Sequence, residues 1–199
     1  MPGQPLPFAD ETDLLLAFVA QQRDGLRYAA YGLRDDQLGL TPTAGSLSIG
    51  GLLKHAAAME RNWTNLVLQA PPRSREESED AYTSQWLVGP TDTVAGLVAD
   101  LEAAGRETEA ALRSVALDDP VPVPKGVPWF PADLDAWSVR WVALHLVEEL
   151  ARHAGHADII REQLDGVSVP QIVLTESGFE GNDFFQPYVA APGTIGARN

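Results

Sequence analysis

The chain has 199 residues, 45% of them hydrophobic, which is enough for one domain with a packed core. Its formal net charge of -14 opposes phosphate backbones and so excludes a nucleic-acid binder that relies on electrostatics. It contains no cysteine, which excludes disulfides, zinc–thiolate sites and a cysteine nucleophile; any thiol chemistry needs a thiol from outside.

The opening MPGQPLP lacks the charged and apolar regions of a signal peptide, and no apolar run is long enough to span a bilayer. The expectation is a cytoplasmic protein without membrane attachment. A first helix is predicted from a cap at Asp10 or Thr12, with Leu14, Leu15, Phe18, Val19, Gln22, Leu26 and Ala29 at helical spacing as far as about Tyr31. Leu33 to Leu47, with Gly39, Pro42 and Gly45, reads as a loop. Ser46 or Ser48 caps a second helix over Ile49–Gln69.

That second helix carries His55 on its apolar face, beside Leu52, Met59 and Leu66, while Lys54, Glu60 and Arg61 point away. A lone histidine there is ordinarily a core residue bonded to a carbonyl. Ala70 to Pro90 reads as a long linker with a solvated charged part, able to cross the end of a bundle. Thr91 or Thr93 caps a third helix through Val94, Leu97, Val98, Leu101, Gly105, Thr108 and Leu112, ending near Val115. Asp118 to Asp135 is predicted as a loop whose pair Trp129, Phe130 covers one mouth of the bundle. Trp137 to Gly166 is the last helix, with Gly166 as its C-terminal glycine.

The last helix holds three of the four histidines. Measured from His145, Glu149 falls about 40°, His156 about 20° and His153 about 80° around the helix. This polar stripe lies opposite Arg140, Asp158, Arg161 and Glu162, which mark a wet face. A carboxylate on the core side needs a partner, and a metal ion is the simplest partner for a carboxylate and an imidazole at i and i+4. After Gly166 no helical period is sustained. Residues 167–199 therefore read as an irregular C-terminal extension, only partly ordered over its last ten or so residues. Phe179, Phe184, Phe185 and Tyr188 are candidates to pack back on the bundle or wall a pocket.

The reading is a single all-α domain over 1–199, a four-helix bundle over about 10–166, with a metal held by His55, Glu149 and His153 near one end of its core. Two imidazoles and one carboxylate leave a position open, as catalytic zinc sites do, and the same set matches the facial arrangement of non-haem iron. His145 and His156 are candidates to position a ligand or shuttle a proton, against the plainer reading of buried, hydrogen-bonded histidines. Arg152, about 20° from His145 on the other side, is the candidate to hold the polar part of a ligand, against a salt bridge to Glu148.

GGLLKHAAAMERNW followed by HLVEELARHAGHADIIREQLDG resembles the DinB-like superfamily, in its DUF664 branch. The resemblance covers roughly Asp10 to Gly166. It implies a four-helix bundle in up-down-down-up order. Many members carry a histidine on the second helix and a His-x-x-x-His pair on the last; here Glu149 stands for the first histidine of that pair, and His156 where glutamine is usual. The same carboxylate occurs in mycothiol-dependent maleylpyruvate isomerase and related mycothiol transferases. The implied function is a metal-dependent S-transferase that activates a low-molecular-weight thiol, mycothiol first, for attack on a small electrophile. The implied metal is Zn2+, with Ni2+ or Fe2+ as alternatives. A non-haem iron enzyme on the same ligands and a non-catalytic metal-binding stress protein are the competing readings. The expected partners are a small thiol and an electrophile, with no nucleic acid and no membrane, and a homodimer is left open.

Overall fold

Each long helix starts where a short polar side chain can satisfy the free N–H groups of a first turn. The structure, a computed structural model, describes residues 4–8, 10–72, 74–128 and 130–197. Helix α1 (Glu11–Ala29) is capped by Asp10, which accepts from the Asp13 N–H at 2.9 Å. Helix α2 (Ile49–Val67) is capped by Ser48, which accepts from Gly51 at 3.1 Å.

The expected linker then contains a helix, α3 (Arg75–Ser84). Ser74 accepts from the Glu77 N–H at 3.2 Å and Glu77 accepts from the Ser74 N–H at 2.8 Å, a reciprocal cap that overrides the high charge of the segment. Helix α4 (Val94–Arg113) begins at Thr93. Strands β1 (Pro120–Pro122) and β2 (Ala136–Ser138) pair antiparallel, with Val121 opposite Trp137. So the loop expected over Asp118–Asp135 is held at its base, and Trp137 is the middle residue of a strand rather than the start of the helix. Helix α5 (Val139–Asp165) is capped by Ser138 and stopped by Gly166 at φ 76°, the left-handed region that glycine reaches without steric cost.

Among the described residues the chain is mostly helical. Helix α2 packs chiefly on α4, α1 on α5, and α2 also meets α5. Leu26, Leu52, Leu53, Leu101, Leu146, Leu150 and Ile160 are buried between them. None of the described helices is long and apolar enough to cross a membrane.

Two arginines tie the helices together. Glu60 faces away from His55, as expected, but into α1 rather than solvent. It is fully buried and takes two bonds of 2.7 Å from the Arg23 guanidinium, the forked geometry that makes such pairs strong. Gly105 leaves room for it: a Cβ there would lie 2.5 Å from Arg23 Cζ. Arg161, expected on the wet face, is also fully buried. It donates to the Ala29 and Tyr31 carbonyls at 2.8 and 2.6 Å, to Asp165 and to the Tyr188 hydroxyl. It thereby satisfies carbonyls that the end of α1 leaves without helical partners.

The extension after Gly166 is more regular than expected. Helix α6 (Val169–Glu176) has Pro170 in its first turn, where a missing N–H costs nothing. The Tyr188 N–H donates to Thr175 Oγ1 at 2.7 Å, and the Gly32 N–H donates to the Ile195 carbonyl at 2.9 Å. The extension thus returns to the end of α1 within its last described residues. Phe184 and Phe185 remain exposed.

Breaking a buried charge pair on one side strands the other charge, at about 3–5 kcal/mol. Arg23→Ala should therefore lower the unfolding free energy by about that amount in chemical denaturation. A loss below about 1 kcal/mol would mean that water reaches Glu60.

Candidate metal centre

Helical spacing of four places Trp141, His145, Glu149 and His153 along one line of α5. Neighbours on that line touch: Trp141 stacks on His145 with centroids 5.0 Å apart, and Glu149 lies 3.7 Å from His145 Nε2 and 3.4 Å from His153 Nε2. The α2–α5 packing sets the His55 ring 4.6 Å from the His153 ring. His55, Glu149 and His153 offer ligand atoms that all lie within 4.8 Å of one another, a grouping able to hold a metal ion. Glu149 was expected on the core side; its side chain is 33% exposed, against 14% for His153. It stands at the wall of a cavity, where partial hydration removes most of the cost of its charge.

The segment after α3 holds His55. Gln85 Nε2 donates to the Tyr82 carbonyl, which turns its Oε1 toward His55 Nδ1 at 3.1 Å. An acceptor there requires Nδ1–H, so Nε2 carries the free lone pair. Trp86 stacks on the other side of the same ring, 3.8 Å between centroids at 15°. Burial is the main cause that lowers the His55 pKa to about 4, with His153 adding to it. Burial also lowers the His153 pKa, against the opposing pull of Glu149. Both imidazoles are therefore neutral at pH 7, the form a metal requires. The donor set, its spacing and its protonation fit a divalent ion.

Gly50 and Gly51 let that segment lie on the first turn of α2. A Cβ on Gly51 would meet the Trp86 carbonyl oxygen at 2.6 Å, and one on Gly50 would meet Val88 at 2.6 Å. Lys54 pins the same stretch by donating to the Leu87 carbonyl at 2.7 Å and to Asp92 at 2.9 Å.

A cavity of about 1410 Å3 opens beside the three residues, lined by His55, His145 and Glu149 and by Trp63, Phe130, Trp137 and Trp141. Phe130, from the loop expected to cover the bundle, lines this cavity; its neighbour Trp129 lies outside the described residues. His156 is half-buried beyond His153 and Arg152 is exposed, and neither lines the cavity. Glu148 approaches His145 Nδ1 at 3.4 Å rather than Arg152. Sequence reasoning missed Gln85 and the role of Trp86, both in the supposed linker. The pattern Ser74-Arg75-Glu76-Glu77 was the available signal for a helix there.

The model of the mycothiol S-transferase family matches residues 14–166, well over half of the chain. The chain belongs to this family. The likeness read in the two histidine-bearing stretches is thereby confirmed, since the family is of DinB type. No curated protein matches the sequence. The matched span runs from within the first turn of α1 through the end of α5, and so takes in all three members of the candidate centre.

Gly51→Ala pits a helix-propensity gain of about 1 kcal/mol against overpacking of about 1–3 kcal/mol. The clash is with a backbone oxygen, which cannot rotate away, so the variant should be less stable and should lose the Trp86–His55 stack. Near-ultraviolet circular dichroism and thermal unfolding read the two effects.

In the metal-free protein the folded state takes a proton on His55 only near pH 4, while the unfolded chain takes it near 6.5. Between these values the unfolded state binds more protons, so stability is fully present above about pH 6.5 and declines as the pH falls toward 4. An NMR titration should show the His55 ring signals moving well below the ordinary histidine range.

Proposed function

We propose that the protein is a metal-dependent S-transferase, with His55, Glu149 and His153 as its metal ligands. The observation that supports this reading is the grouping of those three side chains at the edge of a large cavity in a member of the mycothiol S-transferase family. In this reading α1, α2, α4 and α5 form a DinB-type bundle in up-down-down-up order. Residues 1–199 are one domain, with 167–199 as an extension of the bundle, and the protein works in the cytoplasm.

His55 would offer Nε2, because Gln85 occupies Nδ1. Three protein ligands leave room for a further one. A Zn2+ ion in that place would supply the positive charge that lets a nearby thiol ionise close to pH 7. The thiol comes from solution, since the chain has no cysteine, and mycothiol is the one the family name indicates.

The chain's own residues carry the rest. His145 faces the cavity next to Glu149 and takes the thiol proton. The sulfur electron pair forms the S–C bond, the electrons of the breaking bond leave with the departing group, and His145 returns its proton to water. Glu148 beside His145 Nδ1 orients the ring. His156 and Arg152, neither of which lines the cavity, take no direct part: His156 acts as a neighbour of His153 rather than as a proton carrier, and Arg152 stays in solvent. Two histidines and one carboxylate equally suit non-haem iron; metal analysis of purified protein, together with oxygen consumption, decides between the two.

His55→Ala, Glu149→Gln and His153→Ala should each abolish tight binding of Zn2+ in chelator competition while helix content stays near wild type. Gln85→Leu should weaken binding about tenfold to a hundredfold, the usual cost of losing a group that orients a ligand, and Gln85→Glu should restore it. Equal affinity in all variants would reject the assignment.

Turnover should depend on an added thiol. Mycothiol, bacillithiol, glutathione and cysteine assayed in parallel against one electrophile should rank mycothiol first. Rates equal to those of the metal-free protein with every thiol and several electrophile classes would leave a metal that only staples the helices.

A further inference from the structure

The cavity is larger than one small ligand needs, since pockets for drug-sized molecules run to about 300–1,000 Å3, and its walls are of two kinds. Part of the lining, from α2 and the stretch through α3, mixes Asn62, Asn65 and Gln85 with Leu66 and Tyr82; the rest is a column of rings on and before α5, joined by Trp63 from α2. Trp137 and Trp141 stack at 4.8 Å and 8°, and Trp141 stacks on His145 at 5.0 Å and 14°. Trp63 meets this column from the side, 5.3 Å from Trp137, 5.8 Å from Trp141 and 4.7 Å from His145. Phe130 closes the far end, 4.9 Å from Trp137.

Trp63 and Trp137 are buried, but Trp141 is 39% exposed although it lies in the middle of the column. It is also one of the residues that line the cavity. A column of parallel rings with one member left open offers both stacking and edge contacts to another flat ring. The column also points at the chemistry: along α5, Glu149 is about 6 Å beyond His145 at 1.5 Å per residue. A molecule one ring long, seated against Trp141 and His145, reaches the candidate metal with its near end.

Charge narrows the ligand further. The cavity holds Glu148 and Glu149, and none of the described residues that line it is a lysine or arginine. In the proposed centre a divalent ion would be offset by Glu149 and the incoming thiolate, so an anionic electrophile would still meet Glu148 with no cation among the described lining residues to compensate it, within a chain of net charge -14.

We infer that the ring-walled side of this cavity is the electrophile subsite, and that it takes an uncharged, flat aromatic molecule bearing its reactive carbon on a short substituent. The placement of the reactive carbon rests on the transferase reading; the subsite itself does not. The part of the cavity that carries Asn62, Asn65 and Gln85 is left to the thiol.

The test uses an unreactive aromatic probe, a methylnaphthalene, titrated into the metal-free full-length protein with tryptophan fluorescence as the readout. A naphthoate of the same size is titrated in parallel. Saturable quenching by the neutral probe is expected, with binding of the naphthoate at least roughly tenfold weaker. Trp141→Ala and Phe130→Ala should each weaken the neutral probe by roughly tenfold or more. Trp141→Leu, which keeps apolar bulk but no ring, should fall between wild type and alanine, and circular dichroism establishes that each variant is folded.

With the thiol and metal added, a benzylic electrophile should be preferred in kcat/KM over an aliphatic one of matched uncatalysed reactivity, and Trp141→Leu should shrink that preference chiefly through KM. Equal binding of neutral and anionic probes, or folded Trp141 variants that bind like wild type, would overturn the inference. Probe binding without turnover for any thiol would instead count against the transferase reading and leave the subsite standing.

Discussion

The site depends on how closely the chain after α3 approaches the first turn of α2. Gly50 and Gly51 have no side chains, so the Trp86 backbone and the Val88 side chain lie directly on the helix. One turn further along α2 that approach presents Trp86 to one side of the His55 ring and Gln85 to its Nδ1. An imidazole otherwise rotates about two side-chain bonds and exchanges its proton between two nitrogens. Here its ring plane and its tautomer are both set before any ligand arrives, which is what a histidine needs to hold a metal with little loss of conformational freedom. The two glycines thus act on chemistry through backbone distance, although neither faces the cavity.

Two carboxylates, Glu60 and Glu149, differ in a way that separates structure from function. Glu60 is fully buried and both its oxygens are taken by Arg23. Nothing is left over, and its role is to fix α2 against α1. Glu149 is a third exposed and faces only imidazoles, at distances longer than good hydrogen bonds. Burial holds the His153 pKa low despite this neighbour, so the pair does not become a salt bridge at neutral pH. A carboxylate at a cavity wall whose His153 neighbour is held neutral remains available to a cation.

The parts legible in the sequence were those written in local periodicity. Ser48, Thr93 and Gly166 marked helix ends, and the four-residue spacing of His145, Glu149 and His153 placed them on one line of α5. His55 was assigned to the apolar face of α2 from the same arithmetic. What periodicity cannot express is a contact made by a second element. Arg161 and Glu60 read as surface residues because their partners, the Ala29 and Tyr31 carbonyls and Arg23, lie on another helix. The charged composition of residues 74–84 pointed to a solvated loop, yet the Ser74–Glu77 cap starts a helix there and carries Gln85 to the site. The final stretch looked irregular since its order comes from Tyr188 and Ile195 meeting the end of α1, not from any repeat of its own.

Helix α5 combines these separate requirements. It is 27 residues long, about 40 Å at 1.5 Å per residue. Near its start Arg140 is bonded to Glu11 and Asp118. Near its end Arg161 is bonded to two carbonyls of the α1 terminus and, through Tyr188, to the C-terminal extension. Both anchors join α5 to α1, whereas the candidate centre lies on the side that meets α2. Sliding or rotating α5 by one residue would shift His145, Glu149 and His153 by about 100° around the axis and would also break the buried Arg161 bonds. The register of the site residues is therefore maintained by polar contacts on the opposite side of the helix. That separation leaves the cavity face of α5 free to carry rings and ligands that contribute little to holding the helix in place.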